Sequence, residues 1–455
     1  MTRRLVCLSL SMLAMAGCSA PMPANMAAMP FADGVASLAR AAIGGAAYNA
    51  FRIQPELPEP KDTRAAVKLT YLMNDDQGHQ SPWSTKMLYM LDDLPQSRVH
   101  NVVFRDGNQA GDSRLFYIQK GDSEPGKVNN PMSLLAPGVN EVQSNNPKVF
   151  SQVLGWTFDH YPAKRHYLQL YTHGAGAMGV GTDSMQTDMT GKLLPKEQQI
   201  WAMPIPAFAE ALRQGLKGRQ LDAIYFRACL MGNVEALYEL RGTTRYALAS
   251  EDVSYSTDNS NMTLPKLFDD LAGRDADPQA LVREMAIQAL AKSVKTPDGE
   301  HSGYTSMAAV DIGRMDELKS AINSLTVALK AAMPKSRATI LAAYDAVPAF
   351  NGKEEPDTYY EHSRDLWAFT AQLQQKVAEP GVQAAVQNLR KAQKAVMVHE
   401  RDSFGSAANG LSIFMPARKG DPKQWAGFFK NDYPTLRFAR DSGWDDFLKS
   451  VLVIS

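Results

Sequence analysis

Short apolar runs alternate with segments of helical periodicity through the middle of the chain. Three runs rich in β-branched and aromatic residues span 166–172, 221–227 and 245–249, and helical patterns lie between them. Strands that alternate with helices predict βαβ units and a parallel sheet. Further strands are predicted at 65–72, 99–104, 115–118, 304–311 and 410–414.

Apolar residues at helical spacing predict the helices that cover this sheet. They lie at 87–94, 147–161, 206–216, 315–333, 337–346 and in stretches of 363–398. Most of the late helices follow the last predicted central strand. The pattern therefore indicates an α/β fold around a mostly parallel sheet, with a helical C-terminal addition. We expect a sheet-bearing core over 63–312 and a C-terminal helical region with a closing strand over 313–455.

The first residues have the pattern of an export signal. Arg3 and Arg4 precede an apolar stretch that ends in Met-Ala-Gly before Cys18. This ending resembles the bacterial lipobox, in which the cysteine becomes the lipidated first residue. We expect a signal peptide over 1–17, then a lipidated Cys18 and an Ala-, Pro- and Met-rich tether over 18–62. Ser19 favours the outer membrane, and an ordinary secreted protein cleaved nearby is the alternative.

The charge and composition of the chain limit the classes of partner that we expect. The chain has 48 Lys and Arg against 48 Asp and Glu, so nothing predicts a nucleic-acid surface. After the N-terminus, no apolar run is long enough to span a bilayer, so we expect membrane attachment only through the lipid. The histidines show no metal-ligand spacing. We therefore expect no metal, no cofactor and a monomer that acts on a protein or peptide.

Cysteine usage points to one thiol. Of the three cysteines, Cys7 leaves with the signal peptide and Cys18 is the anchor, which leaves Cys229 in the folded body. Exported proteins use cysteine mainly for disulfides, and this chain cannot form one internally. Cys229 is therefore either a buried bystander or a nucleophile.

The ends of two predicted strands place reactive groups together. The run at 166–172 stops at His173-Gly174, and the run at 221–227 stops just before Cys229. Parallel sheets form sites beyond the carboxyl ends of their strands, so the two side chains are expected to face one crevice. His173 would either form an ion pair with the thiolate or take the thiol proton, and the N–H groups of Gly174 and Cys229 would hold an oxyanion. Asn233 is the predicted N-cap of a helix whose dipole would favour the thiolate.

One competing motif lies in the same place. Residues 174–179 form a G-x-G-x-x-G pattern after a strand, which is the dinucleotide-binding fingerprint. That fingerprint requires a helix to begin at once, and a polar loop is predicted here instead. We therefore do not expect a dinucleotide.

The motifs together resemble the clostripain family of cysteine peptidases, in the clan of caspases, legumain and gingipains. The resemblance rests on His173-Gly174, on Ala-Cys-Leu-Met-Gly at 228–232 with Glu235, and on Ala-Ser-Glu at 249–251. Strands near 71 and 309 and the segment 410–416 extend it over about 65–452. It implies a caspase-like α/β/α sandwich and a catalytic His173–Cys229 dyad.

The chain departs from the family at one position. Members usually carry Asp two residues before the cysteine, where it helps to bind a P1 Arg or Lys, and this chain has Arg227. The candidates for the S1 pocket are Arg227, Ser250, Glu251 and Asp252. A guanidinium repels basic P1 side chains unless Glu251, Asp252 or Asp258 neutralises it. We expect poor cleavage after Arg or Lys, including at Lys192 and Lys196 of the intervening loop.

Two other classes of function stay open on the sequence. A peptidase scaffold that has lost turnover would be a binding or adhesion lipoprotein. A structural envelope protein would simply bury Cys229. Reaction of the native thiol with iodoacetamide near neutral pH distinguishes the peptidase from the structural protein.

Overall fold

The computed structural model describes residues 63–73, 98–107, 111–118, 131–132, 141–183, 186, 192–252, 258–291, 294–295, 301–302, 306–348, 362–402, 408–418 and 423–452. The predicted signal peptide, lipidated Cys18, tether and helix at 87–94 lie outside these residues. No helix within the described part combines the length and apolarity that crossing a membrane requires.

Thirteen strands are described, nine of which form one sheet. Their bounds are β1 Arg64–Met73, β2 Val99–Asp106, β3 Arg114–Ile118, β4 Pro131–Met132, β5 Ala163–Tyr171, β6 Leu221–Arg227, β7 Thr244–Ala249, β8 Val294–Lys295, β9 His301–Ser302, β10 Ser306–Asp311, β11 Ser363–Asp365, β12 Met397–Asp402 and β13 Ser412–Phe414.

The sheet has the order β12-β10-β7-β6-β5-β1-β2-β3-β4. Its five central strands, from β7 to β2, pair in parallel. Only β3 and β10 run against the other strands, and each lies toward an edge. The predicted mostly parallel sheet is confirmed. Nearly continuous apolar runs such as β6 make sense here, because central strands of such a sheet are buried on both faces.

Eleven α-helices among the described residues flank the sheet or form the C-terminal region. They are α1 Pro147–His160, α2 Ile205–Leu216, α3 Val234–Glu239, α4 Asp258–Gly273, α5 Pro278–Ala291, α6 Met315–Asp345, α7 Leu366–Lys376, α8 Pro380–Val396, α9 Lys423–Asn431, α10 Arg437–Ser442 and α11 Trp444–Val451. Helix α6 contains Pro334 and bends at Ser336, whose backbone leaves the helical region because proline removes a helix hydrogen bond.

Two hydrophobic clusters lie on opposite faces of the sheet. Along β6, Ile224 and Phe226 join α1, α2 and the C-terminal helices on one face. Ala223 and Tyr225 join α4 and α5 on the other, as the alternation of side chains along a strand requires. The helical layers on both faces confirm the predicted α/β/α sandwich and its helical C-terminal region.

The C-terminal region also contributes strands. The segment 363–398, predicted to be helical in stretches, begins with β11, holds two helices separated at 377–379, and runs into β12. Strand β12 pairs with β10 and becomes an edge of the main sheet. The predicted strand near 410–414 forms β13, which pairs with β11 outside that sheet. Residues 444–451 form α11.

Candidate active site

His173 and Cys229 follow neighbouring strands at the same edge of the sheet. Strands β5 and β6 pair in parallel, and Tyr171 lies opposite Arg227 in their register. His173 and Cys229 are each two residues beyond that pair, so both lie at the carboxyl edge. Cys229 is 2% exposed and is the free cysteine of the described chain, whereas His173 is half-buried.

The glycine-rich loop packs directly on the cysteine loop. A Cβ on Gly174 would lie 2.2 Å from the Cys229 carbonyl oxygen, so no larger residue fits without movement. Gly176 has φ +57°, and its Cβ would lie 3.2 Å from the Leu230 carbonyl oxygen. A short 3₁₀ turn, Gly176–Met178, follows where the dinucleotide fingerprint requires an α-helix. These glycines therefore serve close packing between the two loops.

The residue after the cysteine adopts an unusual backbone conformation. Leu230 has φ +64°, in the left-handed region that side chains with a Cβ rarely enter. Its N–H donates to the Asp252 carbonyl oxygen at 3.2 Å, and the Gly232 N–H donates to the Ser250 carbonyl oxygen at 2.7 Å. Residues after β7 thus hold the cysteine loop in place. Backbone conformations of this kind cluster at functional sites, and the sequence carried no signal for this one.

Helix α3 begins at Val234, five residues after Cys229. The Asn233 side chain accepts a hydrogen bond from Ala236 N at 3.1 Å, which confirms the predicted N-cap. The influence of a helix dipole falls off within its first turn. Since α3 has only six residues and starts beyond the cysteine loop, its dipole adds little to the electrostatics at the thiol.

Arg227 lies beneath the cysteine loop with its side chain inside the protein. It is 5% exposed, and its guanidinium carbon lies 4.6 Å from the centre of the Tyr171 ring. By strand alternation its side chain is on the face that α4 covers. There its charge adds to burial in lowering the pKa of Lys68 to about 8, against the opposing effect of Asp269. The structure thus places a cation at the position of the family's Asp.

The other S1 candidates follow β7 and are also buried. Ser250 Oγ lies 2.9 Å from Ser306 Oγ and donates to the Asp252 carbonyl oxygen at 2.9 Å. The Glu251 carboxylate accepts a hydrogen bond from Gly410 N. Burial, with the charge of nearby Asp365, raises the pKa of Glu251 well above its usual range. Glu251 thus faces the C-terminal region, and an S1 role for these three residues stays a prediction.

The C-terminal region completes the surroundings of the cysteine loop. Ser412 N donates to the Gly232 carbonyl oxygen at 2.8 Å. Glu235 accepts hydrogen bonds from Phe414 N at 2.9 Å and from the Tyr433 hydroxyl at 2.8 Å. Burial raises the pKa of Glu235 to about 7, although these donors oppose the shift. Sequence reasoning noted Glu235 only as part of a motif and missed Ser412 and Tyr433, because nothing local links them to the cysteine.

One set of carboxylates in the described chain has the geometry of a cation site. Asp106, Asp112 and Glu141 each offer an oxygen, and these oxygens lie within 4.8 Å of one another. The sequence showed no metal-ligand spacing here, because the three residues are brought together by the end of β2 and the segment before α1.

The architecture defines the class, since solved C11 cysteine proteases share it. A secreted C11 cysteine protease from Bacteroides thetaiotaomicron, solved with an irreversible peptide inhibitor, is 15% identical with a TM-score of 0.56. An inactive zymogen C11 protease from Parabacteroides distasonis is 16% identical with a TM-score of 0.54. Each match covers 84% of this chain and 99% of the other.

The family follows from the sequence itself. A model of the clostripain family, Peptidase_C11, matches residues 100–450. The chain belongs to the clostripain family and is a clostripain-like cysteine peptidase, a hydrolase. No curated protein matches it in a sequence search.

Proposed function

We propose that the protein is a cysteine endopeptidase that uses a His173–Cys229 dyad and is held at the bacterial envelope by a lipid on Cys18. The observation that supports the dyad is the pairing of Tyr171 with Arg227 in the register of β5 and β6. It supports placing the histidine and the cysteine side by side at one carboxyl edge, where a peptide could reach both.

The proposed reaction is acyl transfer. The Cys229 thiolate attacks the peptide carbonyl carbon, and His173 takes the thiol proton and returns it to the leaving amine. Water then hydrolyses the thioester and frees the thiol. The Gly174 N–H donates to no described residue, which suits it to hold the oxyanion with the Cys229 N–H.

A peptide substrate fits this chemistry and the relatives. The Bacteroides thetaiotaomicron protease was solved in complex with an irreversible peptide inhibitor. Because this chain shares the fold, we propose that it also acts on a protein or peptide. A non-catalytic binding lipoprotein on the same scaffold is the alternative, and the presence of both dyad residues argues against it.

Substitution of the dyad tests the proposal directly. Cys229→Ala should abolish peptide cleavage, because Cys229 is the thiol left in the folded body. His173→Ala should lower kcat/KM by roughly 10²–10⁴-fold, the usual contribution of a positioned acid–base group.

His166→Ala is the matched control and should retain activity, because His166 lies on β5, which leads to His173, away from its carboxyl end. Circular dichroism checks that each variant is folded. Undiminished cleavage by folded Cys229→Ala would rule out the dyad. An inert wild type would favour the binding lipoprotein, and an inert wild type with an unreactive thiol would favour the structural envelope protein.

The anchor needs a separate experiment in the bacterial cell. Cys18→Ala should move the protein from the membrane fraction to the soluble fraction, because acyl chains on that residue would supply the retention. Cys7→Ala is the control and should leave the protein in the membrane fraction. Retention of the Cys18→Ala protein in the membrane fraction would point to a protein partner instead of a lipid.

A further inference from the structure

The segment 410–414 connects the C-terminal region to the cysteine loop, which spans 228–233. One edge of this segment, through β13, pairs with β11. On the other side, three alternate backbone N–H groups donate to the cysteine loop or to acidic side chains beside it: Gly410 to Glu251, Ser412 to Gly232 at 2.8 Å, and Phe414 to Glu235 at 2.9 Å. The shape of the cysteine loop therefore depends on a segment that lies far along the chain.

Glu251 is placed where this segment and the cysteine loop are joined. Its two chain neighbours hold the loop through their backbone. The Ser250 carbonyl oxygen accepts from Gly232 N at 2.7 Å, and the Asp252 carbonyl oxygen accepts from Leu230 N at 3.2 Å. The Glu251 side chain is turned instead toward the C-terminal segment. A displacement of this side chain would therefore reach the residues that follow the cysteine.

A second buried carboxyl group meets Glu251 there. Glu251 and Asp365 are both 0% exposed, and their side chains interact directly. Asp365 is the N-cap of α7 and comes from the C-terminal region, whereas Glu251 follows β7. Two carboxylates in contact cannot both stay ionised in a buried site, so one of them holds a proton.

The hydrogen bonds show which carboxyl group holds it. Asp365 Oδ1 accepts from Ala368 N at 2.5 Å and from Asn409 Nδ2 at 3.2 Å, and Asp365 Oδ2 accepts from Asn409 N at 2.7 Å. Both of its oxygens are thus acceptors. Glu251 Oε1 accepts from Gly410 N, but Glu251 Oε2 is buried and receives no hydrogen bond from any described residue. That oxygen is satisfied if it carries the proton and donates it to Asp365.

The charges around the pair favour the same assignment. Burial raises the pKa of Glu251 well above its usual range, and the carboxylates of Asp365 and Asp252 raise it further, against the hydrogen bond from Gly410. Burial raises the pKa of Asp365 only to about 6, because the N–H groups of Ala368 and Asn409 oppose the shift. Asp365 is therefore the member that ionises first.

The neighbouring elements bring few other charges to the pair. From β10, the uncharged Ser306 Oγ accepts from Glu251 N at 3.2 Å. Arg364 precedes Asp365 in β11, but strand alternation turns its side chain to the other face, where its charge lowers the pKa of His362. Glu235 belongs to α3 and contacts Phe414, four residues after Gly410.

We propose that Glu251 is a positioning residue that holds the cysteine loop in its neutral form. One of its oxygens accepts the Gly410 N–H, and the other donates its proton to the Asp365 carboxylate. The pair thereby fastens the C-terminal region to the segment after β7, which holds Leu230 and Gly232. The consequence for catalysis rests on the proposed dyad, whereas the hydrogen-bonded pair itself does not.

Substitution at Glu251 distinguishes the neutral form from an anion. Glu251→Gln keeps one acceptor oxygen and places an amide donor where the proton lies, so it should keep kcat near the wild-type value. Glu251→Ala should lower kcat by roughly 10²-fold with little change in KM, because displacement of the cysteine loop misplaces the thiol. Glu210→Gln, at an exposed residue of α2, is the matched control and should change neither constant.

The same exchange at the partner should not be tolerated. Asp365→Asn puts an amide donor where both oxygens must accept, so it should lower kcat as Glu251→Ala does. Full activity in Asp365→Asn beside a damaged Glu251→Gln would place the proton on Asp365 and overturn the proposal. A loss in Glu251→Gln equal to that in Glu251→Ala would show that an anion is required, which also overturns it.

Hydrogen–deuterium exchange tests the pair without any peptidase assay, on the chain lacking its signal peptide and carrying Cys229→Ala. Glu251→Ala and Asp365→Asn should each speed exchange in peptides covering 229–233 and 408–414, and Glu251→Gln should not. Unchanged exchange in all three variants, or an altered P1 preference without faster exchange, would mean that Glu251 does not hold the loop.

The pH dependence of thermal unfolding checks the proton itself, on the same Cys229→Ala chain. A carboxyl group with a raised pKa takes up a proton on folding, so its contribution to stability falls as pH rises toward the folded-state pKa. The Tm of Glu251→Gln minus that of its parent should therefore grow between about pH 6.5 and pH 8.5, whereas the Glu210→Gln difference should stay constant. A constant difference for Glu251→Gln would mean that Glu251 is already ionised and would overturn the proposal.

The outcomes separate this proposal from the proposed function. If the wild type cleaves no peptide, the proposed function fails, and the exchange and melting measurements still decide the role of the carboxyl pair. If the wild type cleaves but those measurements show no role for Glu251, the dyad stands and the positioning residue does not. Should Glu251→Ala fail to fold, the contrast between Glu251→Gln and Asp365→Asn decides.

Discussion

Each face of the sheet buries an apolar cluster, but the two faces differ in the charged side chains buried beside it. Beneath α1 and α2 the buried layer is aromatic and aliphatic, and the Phe150 ring lies 4.9 Å from Tyr71 and 5.3 Å from Phe208. We call this the apolar face. Beneath α4 lies a charged face, defined by the buried residues Lys68, Arg227 and Asp269.

Two members of the charged face contact neighbouring side chains. The Lys68 ammonium lies 4.8 Å from the centre of the Phe268 ring, and Asp269 accepts a hydrogen bond from Asn101 at 2.8 Å. Buried charges cost free energy that an apolar layer of the same volume would not. The charged face ends at Arg227, two residues before the cysteine. We infer that the apolar face supplies stability and that the charged face adjusts the charge presented to the substrate.

The largest expected effect lies on the apolar face. Phe150→Ala should lower the free energy of unfolding by about 3–5 kcal/mol, because it removes a fully buried ring and leaves a cavity. Urea unfolding measures the change. The relative cleavage of peptides with different P1 residues should stay the same. A changed P1 preference in this variant would contradict the division between the two faces.

A smaller effect should appear on the charged face at alkaline pH. Burial is the main cause that lowers the Lys68 pKa from 10.5 to about 8. Between those values the unfolded chain binds more protons than the folded one, so wild-type stability rises with pH there, by about 3 kcal/mol from this group. Below about pH 8 both states are charged, and the contribution to the slope vanishes.

Lys68→Met should remove that rise. Urea unfolding at pH 7.5 and pH 10.5 compares the two proteins, and the difference between their slopes isolates Lys68 from other titrating groups. Lys330→Met, at an exposed lysine of α6, should behave like the wild type. If the free energy of unfolding changes equally with pH in Lys68→Met and in the wild type, Lys68 is not desolvated in the folded protein.

The smallest effect concerns specificity. At about 4 Å and an effective dielectric of 20, a charge pair is worth on the order of 4 kcal/mol, and a third of this shifts preference about tenfold. The wild type should therefore favour acidic or small polar P1 residues and should leave Lys192 and Lys196 uncut. Arg227→Asp should gain about tenfold on P1 Arg relative to P1 Glu.

Fluorogenic peptides that differ only at P1 test this, beside a gel of the purified protein. Arg227→Gln should give an intermediate preference, because it removes the cation without adding an anion. Arg245→Asp, at the exposed amino end of β7, is the matched control and should change nothing. A wild type that prefers P1 Arg would show that Arg227 does not face the substrate.

The central strands were predictable because their signal is local. The predicted run at 221–227 matches β6, and β5 and β7 differ from their predictions by a few residues. Buried parallel strands appear in the sequence as apolar runs. Glycine and polar residues mark where these runs end. The helical stretches predicted within 363–398 are α7 and α8, but the prediction missed β11 and β12 at the two ends of this segment, which are short and polar. Their strand conformation depends on pairing with β13 and β10, which sequence periodicity does not report.

The candidate site was likewise predictable only where local sequence signals define it. The positions of His173 and Cys229 could be predicted because each residue follows the end of a strand, and the sequence shows where these strands end. The left-handed conformation of Leu230 and the contact of Glu251 with Gly410 depend on tertiary packing. The carboxylates around Asp106 were missed for the same reason, because Glu141 belongs to a segment of the chain separate from the one that holds Asp106 and Asp112.

The hydrogen bond between Ser412 and Gly232 also has a consequence for the order of events during synthesis. These residues are 180 positions apart, and Phe414 reaches Glu235 across 179. Contacts between such distant segments form late, because closing a long loop costs entropy before the contact repays it. The loop that carries Cys229 therefore reaches its final shape only when the chain has been made through Phe414, and a shorter chain lacks the backbone partners that hold this loop in position.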